Sequence, residues 1–510
     1  MTYDHNIGIP VMCTLLVVAV SCQYDRLYRP GVNGKADSIL IAAAHVRPSP
    51  RQVEWQEMEM ACFIHFGINT FYDVEWGNRE QEVSMFNPTE LDTRQWARTV
   101  KEAGAKMMTV LAKHHDGFCY WPSRFTDYSV KNSPWKQGQG DLIAEAAAAC
   151  REYGLKLGIY LSPWDIHSPL YGTAGYNEYF KNQLRELLTA YGKVSEVWLD
   201  GACGEGLNGK RQVYDWMGYF RLIRELQPHA VIAIMGPDVR WVGTETGYGR
   251  ETEWSVLPVD SATMNQIALT SRYGEKGYFF MPLGNLIQDD LGSREKIRNA
   301  GGLIWYPSEV DVSIRPGWFY HEAHDSLVKS PEELVDIYYG SVGRNSLLLL
   351  NLPPDKRGLI HENDVLSIRK MRALLDETFR HNLAEKATIR VHPRNRHSDP
   401  SYMIDDDPMT WWDPGAGIMV AQVEFDLENV MTFDRMMVQE NFRNGQRVEE
   451  FALEIKENGR WTKITGGTTI GYKRLLRFNP VQARKVRLRI LSSRDTPEIS
   501  SFGLYKAPAE

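Results

Sequence analysis

The chain has 510 residues, more than one hydrophobic core usually organises, so two or more domains are expected. A formal net charge of −7, from 58 basic and 65 acidic residues with no basic stripe, excludes the electrostatic footprint of a nucleic-acid partner. Charged residues are an ordinary 24% with no low-complexity tract, which excludes a disordered chain, and the 15 Trp and 24 Tyr lean towards a carbohydrate ligand, whose pyranose faces stack on aromatic rings.

The first element is an apolar run from Ile9 to Val20, too short to span a bilayer. It leads into Ala19-Val-Ser-Cys22 and resembles a bacterial lipoprotein signal, although Met1 to Asn6 carries an Asp and no Lys or Arg. Residues 1–22 are therefore expected to be a signal segment on an exported bacterial protein, periplasmic or outer-membrane-anchored. Any membrane contact would run through a lipid at Cys22. Cys62, Cys119, Cys150 and Cys203 lack metal-ligand spacing and read as small buried hydrophobes.

Trp55 to Cys62 runs into Phe63-Ile-His-Phe-Gly67, with Asn69-Thr-Phe-Tyr-Asp-Val-Glu75-Trp76-Gly behind it. Asp92 to Gly104 has helical spacing, and the apolar run Lys106 to Ala112 stops at His114-His-Asp-Gly-Phe118. The pattern then repeats. A helix over Asp141 to Gly154 precedes a strand over Leu155 to Leu161 and the loop Ser162-Pro-Trp-Asp-Ile-His167. A helix over Asn177 to Tyr191 precedes Ser195-Glu-Val-Trp-Leu-Asp-Gly-Ala202, where Val197 to Leu199 reads as a buried strand ending on Asp200. A helix over Gln212 to Gln227 is followed by the run Ala230 to Met235, and further strands are expected at Gly301 to Trp305 and Ser346 to Leu350.

This alternation predicts an α/β fold with a (β/α)8-type barrel over residues 45–380, its site built at the C-terminal ends of the strands. The alternative, a doubly wound sheet, lacks a Gly-rich phosphate loop after its first strand. The helix His361 to Phe379 closes this unit. Short alternating runs then follow at Ala387 to Val391, Ala421 to Phe425, Phe451 to Ile455 and Lys485 to Ile490, predicting an all-β sandwich over 383–507.

The chemically loaded residues cluster at strand ends: His65, then His114 and His115, then Trp164 and His167, then Asp200. A buried carboxylate costs several kcal/mol unless paired, so Asp200 points to a site rather than to stability. A second carboxylate is expected in a later loop, at Glu245, Glu251 or Glu253. Two acids with separated protonation states are what glycosidic bond cleavage uses, and spacing alone leaves retention and inversion both open. No His-x-His or His-Glu-x-x-His pattern occurs, so no metal is expected and the histidines read as neutral hydrogen-bond donors to hydroxyl groups.

Phe63-Ile-His-Phe-Gly, His114-His-Asp-Gly-Phe, Trp198-Leu-Asp-Gly and Leu347-Leu-Leu-Leu-Asn-Leu-Pro-Pro resemble the α-L-fucosidases of glycoside hydrolase family 29 over about residues 50 to 380. Asn69-Thr-Phe with Glu75-Trp-Gly, Ser162-Pro-Trp-Asp, and Gly236-Pro-Asp through Glu245 to Glu253-Trp look like the branch that prefers α-1,3/1,4-linked fucose on Lewis-type glycans. The resemblance implies a retaining exo-acting enzyme with Asp200 as nucleophile and Glu245 as general acid/base. It places His65, Glu75, Trp76, His114, His115 and Tyr160 in the fucose pocket and Trp198 beside the nucleophile, and extends the pocket to His167 and Trp305. Thr244 departs from the Gly-Asn-Glu expected before Glu245. The C-terminal stretch resembles a discoidin-like, family 32 carbohydrate-binding module in which Trp411 and Trp412 would be core residues. No cofactor is implied for turnover. The module's family allows a structural calcium, for which Asp405 to Asp407 could equally be a capped turn. Two rival readings are another exo-glycosidase on the same barrel and an inactive surface glycan-binding protein.

Overall fold

A computed structural model describes residues 36–259 and 288–508. The signal-like segment 1–22, with Cys22, lies outside the described residues. Among those described, no helix is long and apolar enough to cross a membrane.

Six parallel strands come first: β1 (Met60–Ile64), β2 (Met107–Lys113), β3 (Lys156–Leu161), β4 (Glu196–Leu199), β5 (Val231–Ile234) and the two-residue β6 (Arg240–Trp241). An antiparallel pair, β7 (Val256–Val259) and β8 (Gly302–Trp305), stands apart from them. β9 (Ser308–Ser313) and β10 (Leu347–Asn351) rejoin the parallel set, giving the order β5-β4-β3-β2-β1-β10-β9-β6. The two ends of this order, β5 and β6, are consecutive in the chain and separated only by residues 235–239. A crossover between neighbouring parallel strands needs a dozen or more residues. The chain thus passes from β5 to β6 through Gly236-Pro237 without a crossover helix, and the eight-stranded order nearly closes into a TIM-like barrel.

The strands are buried throughout because helices cover them, and the helices begin and end where local chemistry dictates. Asp92 caps Thr93–Glu102 through the Arg94 N–H, and Asp141 caps Leu142–Tyr153 through the Ala144 N–H. Gly154 ends the second of these in the left-handed region, at φ 66°. The chain turns back at these caps, and that carries each strand's C-terminal end to the same mouth.

The expected strand at Gly301 to Trp305 exists as β8 but lies off the barrel, paired with β7. The barrel strand in this region is β9, whose Ser-Glu-Val-Asp-Val-Ser sequence alternates as an exposed strand would, yet whose six residues are all buried.

The C-terminal unit is all-β and antiparallel. β11 (Thr388–His392), β12 (Ala421–Glu440), β13 (Val448–Glu457), β14 (Arg460–Gly467) and β15 (Arg474–Ser493) run in the order β11-β12-β15-β13-β14, and β16 (Ile499–Tyr505) pairs with β12. Register shifts between Asp426 and Met431 and between Phe433 and Arg435 interrupt the β12–β15 ladder, and bulges of this kind bend strands. One hydrogen-bonded sheet therefore encloses a core in which Phe425 stacks on Phe502 at 4.2 Å and Trp412 is fully buried. Asp405 accepts from the Asp407 N–H and the Thr410 hydroxyl, and Asp407 from the Met409 N–H, so this triplet forms a capped turn.

Candidate active site

Asp200 leaves the end of β4 with its carboxylate held from two sides. The Tyr160 hydroxyl donates to Oδ2 at 2.9 Å and the Ala202 N–H donates to Oδ1 at 2.7 Å. His115 Nε2 stands 3.8 Å from Oδ2. Tyr160 stacks between His114 and Trp198, with ring centroids 5.8 and 5.0 Å away.

The three pocket histidines are neutral, and their neighbours fix their tautomers. Burial lowers the pKa of each, that of His65 to about 4. Asn351 Nδ2 donates to Ser313 Oγ and to the Trp318 carbonyl, so Asn351 Oδ1 faces His65 Nδ1 as an acceptor at 2.9 Å. His65 is therefore protonated at Nδ1 and keeps a lone pair on Nε2. Ser162 Oγ donates to the Trp164 carbonyl and so accepts from His115 Nδ1 at 2.7 Å, which leaves the Nε2 of His115 as a lone pair too. His114 is the reverse. Gln81 fixes the Asn69 amide, whose Nδ2 faces His114 Nδ1 at 3.5 Å and leaves the proton on Nε2. The pocket thus offers two imidazole acceptors and one imidazole donor, a set suited to ordered hydroxyl groups of a sugar.

Trp76 is 58% exposed and stands against His115 and Trp164, with centroids 5.3 and 5.4 Å away, forming an aromatic wall at the mouth. The Glu75 carboxylate accepts from the backbone N–H groups of Trp318 and Phe319 and from His321 Nε2. Gly317 permits this approach, since a Cβ there would lie 2.0 Å from Glu75 Oε1. Glu75 in this way pins the loop that carries Trp318. The Trp318 ring lies 5.1 Å from His65, and its Nε1 donates to Glu245 Oε2 at 3.2 Å.

Glu245 is exposed at the mouth, beyond β6. Its pKa is raised by partial desolvation first and by the charges of Asp200 and Glu75 after that, with the Trp318 indole acting the other way. The other two expected carboxylates are engaged elsewhere: Glu253 is buried between Arg240 and Arg250, and Glu251 pairs with Arg474 and Arg344. A further acid, Asp311, sits in β9 at 4% exposure and accepts from Trp241 Nε1 at 2.8 Å. Burial raises its pKa to about 8, and the charges of Glu245 and Asp200 add to this.

His65, Glu75, Trp76, His114, His115, Tyr160, Asp200 and Glu245 thus converge. Trp198 lies beneath them at 4% exposure, its indole N–H directed to Glu309 Oε1 at 2.7 Å, which makes it floor rather than wall. His167 does not join the group: its ring stacks on Tyr128 at 3.9 Å. Trp305 is a correction. It is 2% exposed, donates to Gln56 Oε1 and packs near Phe442, because β8 is off the barrel. Sequence reasoning missed Trp318, Asn351, Asp311 and Glu309. The Pro316-Gly-Trp318 turn following an alternating run was the available signal for Trp318. Among the described residues no group of three His, Cys, Asp or Glu is placed to hold a metal ion.

Residues 42–378 match the family model described as Alpha-L-fucosidase, and residues 387–502 match the F5/8 type C domain. Alpha-L-fucosidase 1 of Arabidopsis thaliana is 40% identical over 467 residues, 90% of this chain and 87% of that protein. A glycoside hydrolase family 29 member from an unknown rumen bacterium superposes with a TM-score of 0.75 at 40% identity, covering 91% of this chain and 78% of the other. A Ruminococcus gnavus family 29 fucosidase in complex with fucose superposes with a TM-score of 0.79 at 32% identity, covering 91% and 95%.

Proposed function

The chain belongs to the α-L-fucosidases of glycoside hydrolase family 29, and we propose that it works as a retaining exo-enzyme with Asp200 as nucleophile and Glu245 as general acid/base. The observation that carries this is the contrast between two carboxylates at one mouth. Asp200 is aimed by the Tyr160 hydroxyl and the Ala202 N–H, whereas Glu245 is exposed with a raised pKa. Asp200 attacks the anomeric carbon while protonated Glu245 gives its proton to the departing oxygen. The fucosyl-enzyme is then hydrolysed by water that Glu245 deprotonates. The charge of Asp200 helps hold the proton on Glu245 until bond formation consumes that charge, so the acid of the first step becomes the base of the second.

The substrate is terminal L-fucose, preferentially α-1,3/1,4-linked on branched Lewis-type glycans. The fucose complex of the R. gnavus relative supports the sugar, and the exposed Trp76 supports an aromatic wall beside it. The Ile9–Val20 run before Cys22 supports export of the protein with a lipid anchor.

The test is early-time NMR of the released sugar, together with L-fucose release from a Lewis-type trisaccharide and from 2′-fucosyllactose. The expected results are initial release of the α-anomer and turnover of the trisaccharide alone. Initial β-fucose would overturn retention, and equal turnover of both glycans would overturn the linkage preference. Asp200→Ala is expected to lose several orders of magnitude in kcat.

A further inference from the structure

The alternating polar residues of β9 share one face, because successive side chains of a strand point to opposite sides. They are Glu309, Asp311 and Ser313, at 0%, 4% and 7% exposure. Each receives a hydrogen bond from a residue tied to a different part of the site. Glu309 Oε1 accepts from Trp198 Nε1 at 2.7 Å; Trp198 stacks on Tyr160, and Tyr160 donates to Asp200. Asp311 Oδ1 accepts from Trp241 Nε1 at 2.8 Å, and Trp241 ends β6 just ahead of the loop that carries Glu245. Ser313 Oγ accepts from Asn351 Nδ2 at 2.9 Å, and Asn351 orients His65.

We propose that the inward face of β9 is a positioning strand for the reaction, and that Glu309 sets the Asp200 carboxylate through Trp198 and Tyr160. The inference rests on the reading of Asp200 as nucleophile. Stability offers a poor reason for an acid at position 309. A buried charge is costly, and apolar replacements of buried ionic groups are often neutral or stabilising. Glu196, also fully buried, stands beside Glu309 and accepts from Trp55 Nε1 and the Thr109 hydroxyl. Burial and the charge of Glu196 raise the pKa of Glu309 well above the ordinary range, so the pair retains a proton. What the carboxyl supplies is an acceptor at a fixed point in the barrel. It holds the Trp198 ring flat against Tyr160, and a small misplacement of a reacting group costs far more in rate than in binding.

The experiment measures kcat and KM on an aryl α-L-fucoside for Glu309→Leu, Glu309→Gln and Trp198→Phe, with Asp200→Ala alongside. Glu309→Leu is expected to lose about ten- to a hundredfold in kcat with KM changed less than about twofold. Glu309→Gln keeps an acceptor carbonyl and is expected to recover most of that loss. Trp198→Phe keeps an aromatic ring beside Tyr160 but removes the indole's five-membered ring together with its N–H, so it is expected to lose at least as much kcat as Glu309→Leu does, and the double variant to lose no more than Trp198→Phe alone. This variant also decides the matter if Glu309→Leu fails to fold. Wild-type kcat in Glu309→Leu or Trp198→Phe, equal losses in Glu309→Leu and Glu309→Gln, or a loss expressed in KM would each overturn the inference. Turnover surviving in Asp200→Ala would remove the nucleophile reading and the inference together. An inactive Asp200→Ala beside an unimpaired Glu309→Leu would overturn the inference alone.

Discussion

Replacing Asn351 by Leu should weaken fucose binding through a side chain that is not expected to touch the sugar. Asn351 makes four hydrogen bonds: it accepts from the His65 backbone N–H and from His65 Nδ1, and it donates to Ser313 Oγ and to the Trp318 carbonyl. At about 1 kcal/mol net each, their loss costs ~4 kcal/mol, of which leucine's apolar burial offsets ~1. Unfolding stability should therefore fall by about 3 kcal/mol. The functional loss is separate. Without the Asn351 acceptor nothing holds the His65 proton on Nδ1, and the tautomer protonated at Nε2 replaces a lone pair facing the ligand with an N–H. A sugar hydroxyl can turn to accept from it, so the loss should be about 1–2 kcal/mol rather than that of a wholly unpaired group, equivalent to roughly 5- to 30-fold in affinity. Titration calorimetry with L-fucose reads this directly, and denaturant unfolding reads the stability change. An unchanged fucose Kd in a variant destabilised by the expected amount would refute the tautomer argument.

Trp318→Phe keeps an aromatic ring against His65 but removes the N–H that favours ionised Glu245. Glu245 should then hold its proton to higher pH, moving the alkaline limb of the kcat profile upward; a limb that stays or moves down would show that Glu245 is not the group titrating. Stability should fall as pH drops from about 6.5 towards 4, because unfolded histidine binds protons in that window while buried His65 does not, with His114 and His115 acting in the same direction. For His65 alone the loss is on the order of 3 kcal/mol, and urea midpoints that stay flat across the window would contradict it. Asp311 has the opposite sign: between about pH 4 and 8 the folded acid keeps a proton that the unfolded chain sheds, so its burial becomes more destabilising as pH rises. Asp311→Asn should therefore melt above wild type near pH 8, the gap closing towards pH 4; a gap that is absent or reversed would count against a neutral Asp311.

One half of the barrel mouth is legible in the sequence because its strands obey a simple rule. β1 to β4 are apolar runs, the helices Thr93–Glu102 and Leu142–Tyr153 between them begin on a capping Asp, and the side chains just past the strands are His65, His114, His115 and Asp200. The other half breaks that rule. β6 is two residues long and has no crossover helix before it. β9 places acids inside the barrel, where indoles from other strands satisfy them, and no local pattern distinguishes such a strand from an edge exposed to water. Trp305 was misplaced for the converse reason: an apolar run ending on Trp looks like a barrel strand, yet its partner is β7. His167 follows the strand-end rule, but the Asp165 carboxylate accepts its backbone N–H while its ring packs on Tyr128. Histidine tautomers were beyond reach, since they depend on amides and hydroxyls distant in sequence.

The segment after Glu245 is stitched to the C-terminal sheet. Thr252 Oγ1 meets Thr468, the Glu253 N–H donates to Thr469, Ser255 donates to Gln446, and Glu251 pairs with Arg474. Arg494 lies over the Trp254 ring at 3.4 Å. The second unit therefore acts as a buttress for the stretch that follows Glu245, and the apparent domain boundary near residue 380 is no safe place to cut. A shortened enzyme ending there would lose partners for Glu251, Glu253 and Trp254 together. A chimaera carrying another module in its place would have to rebuild that seam before it gained anything from the exchange.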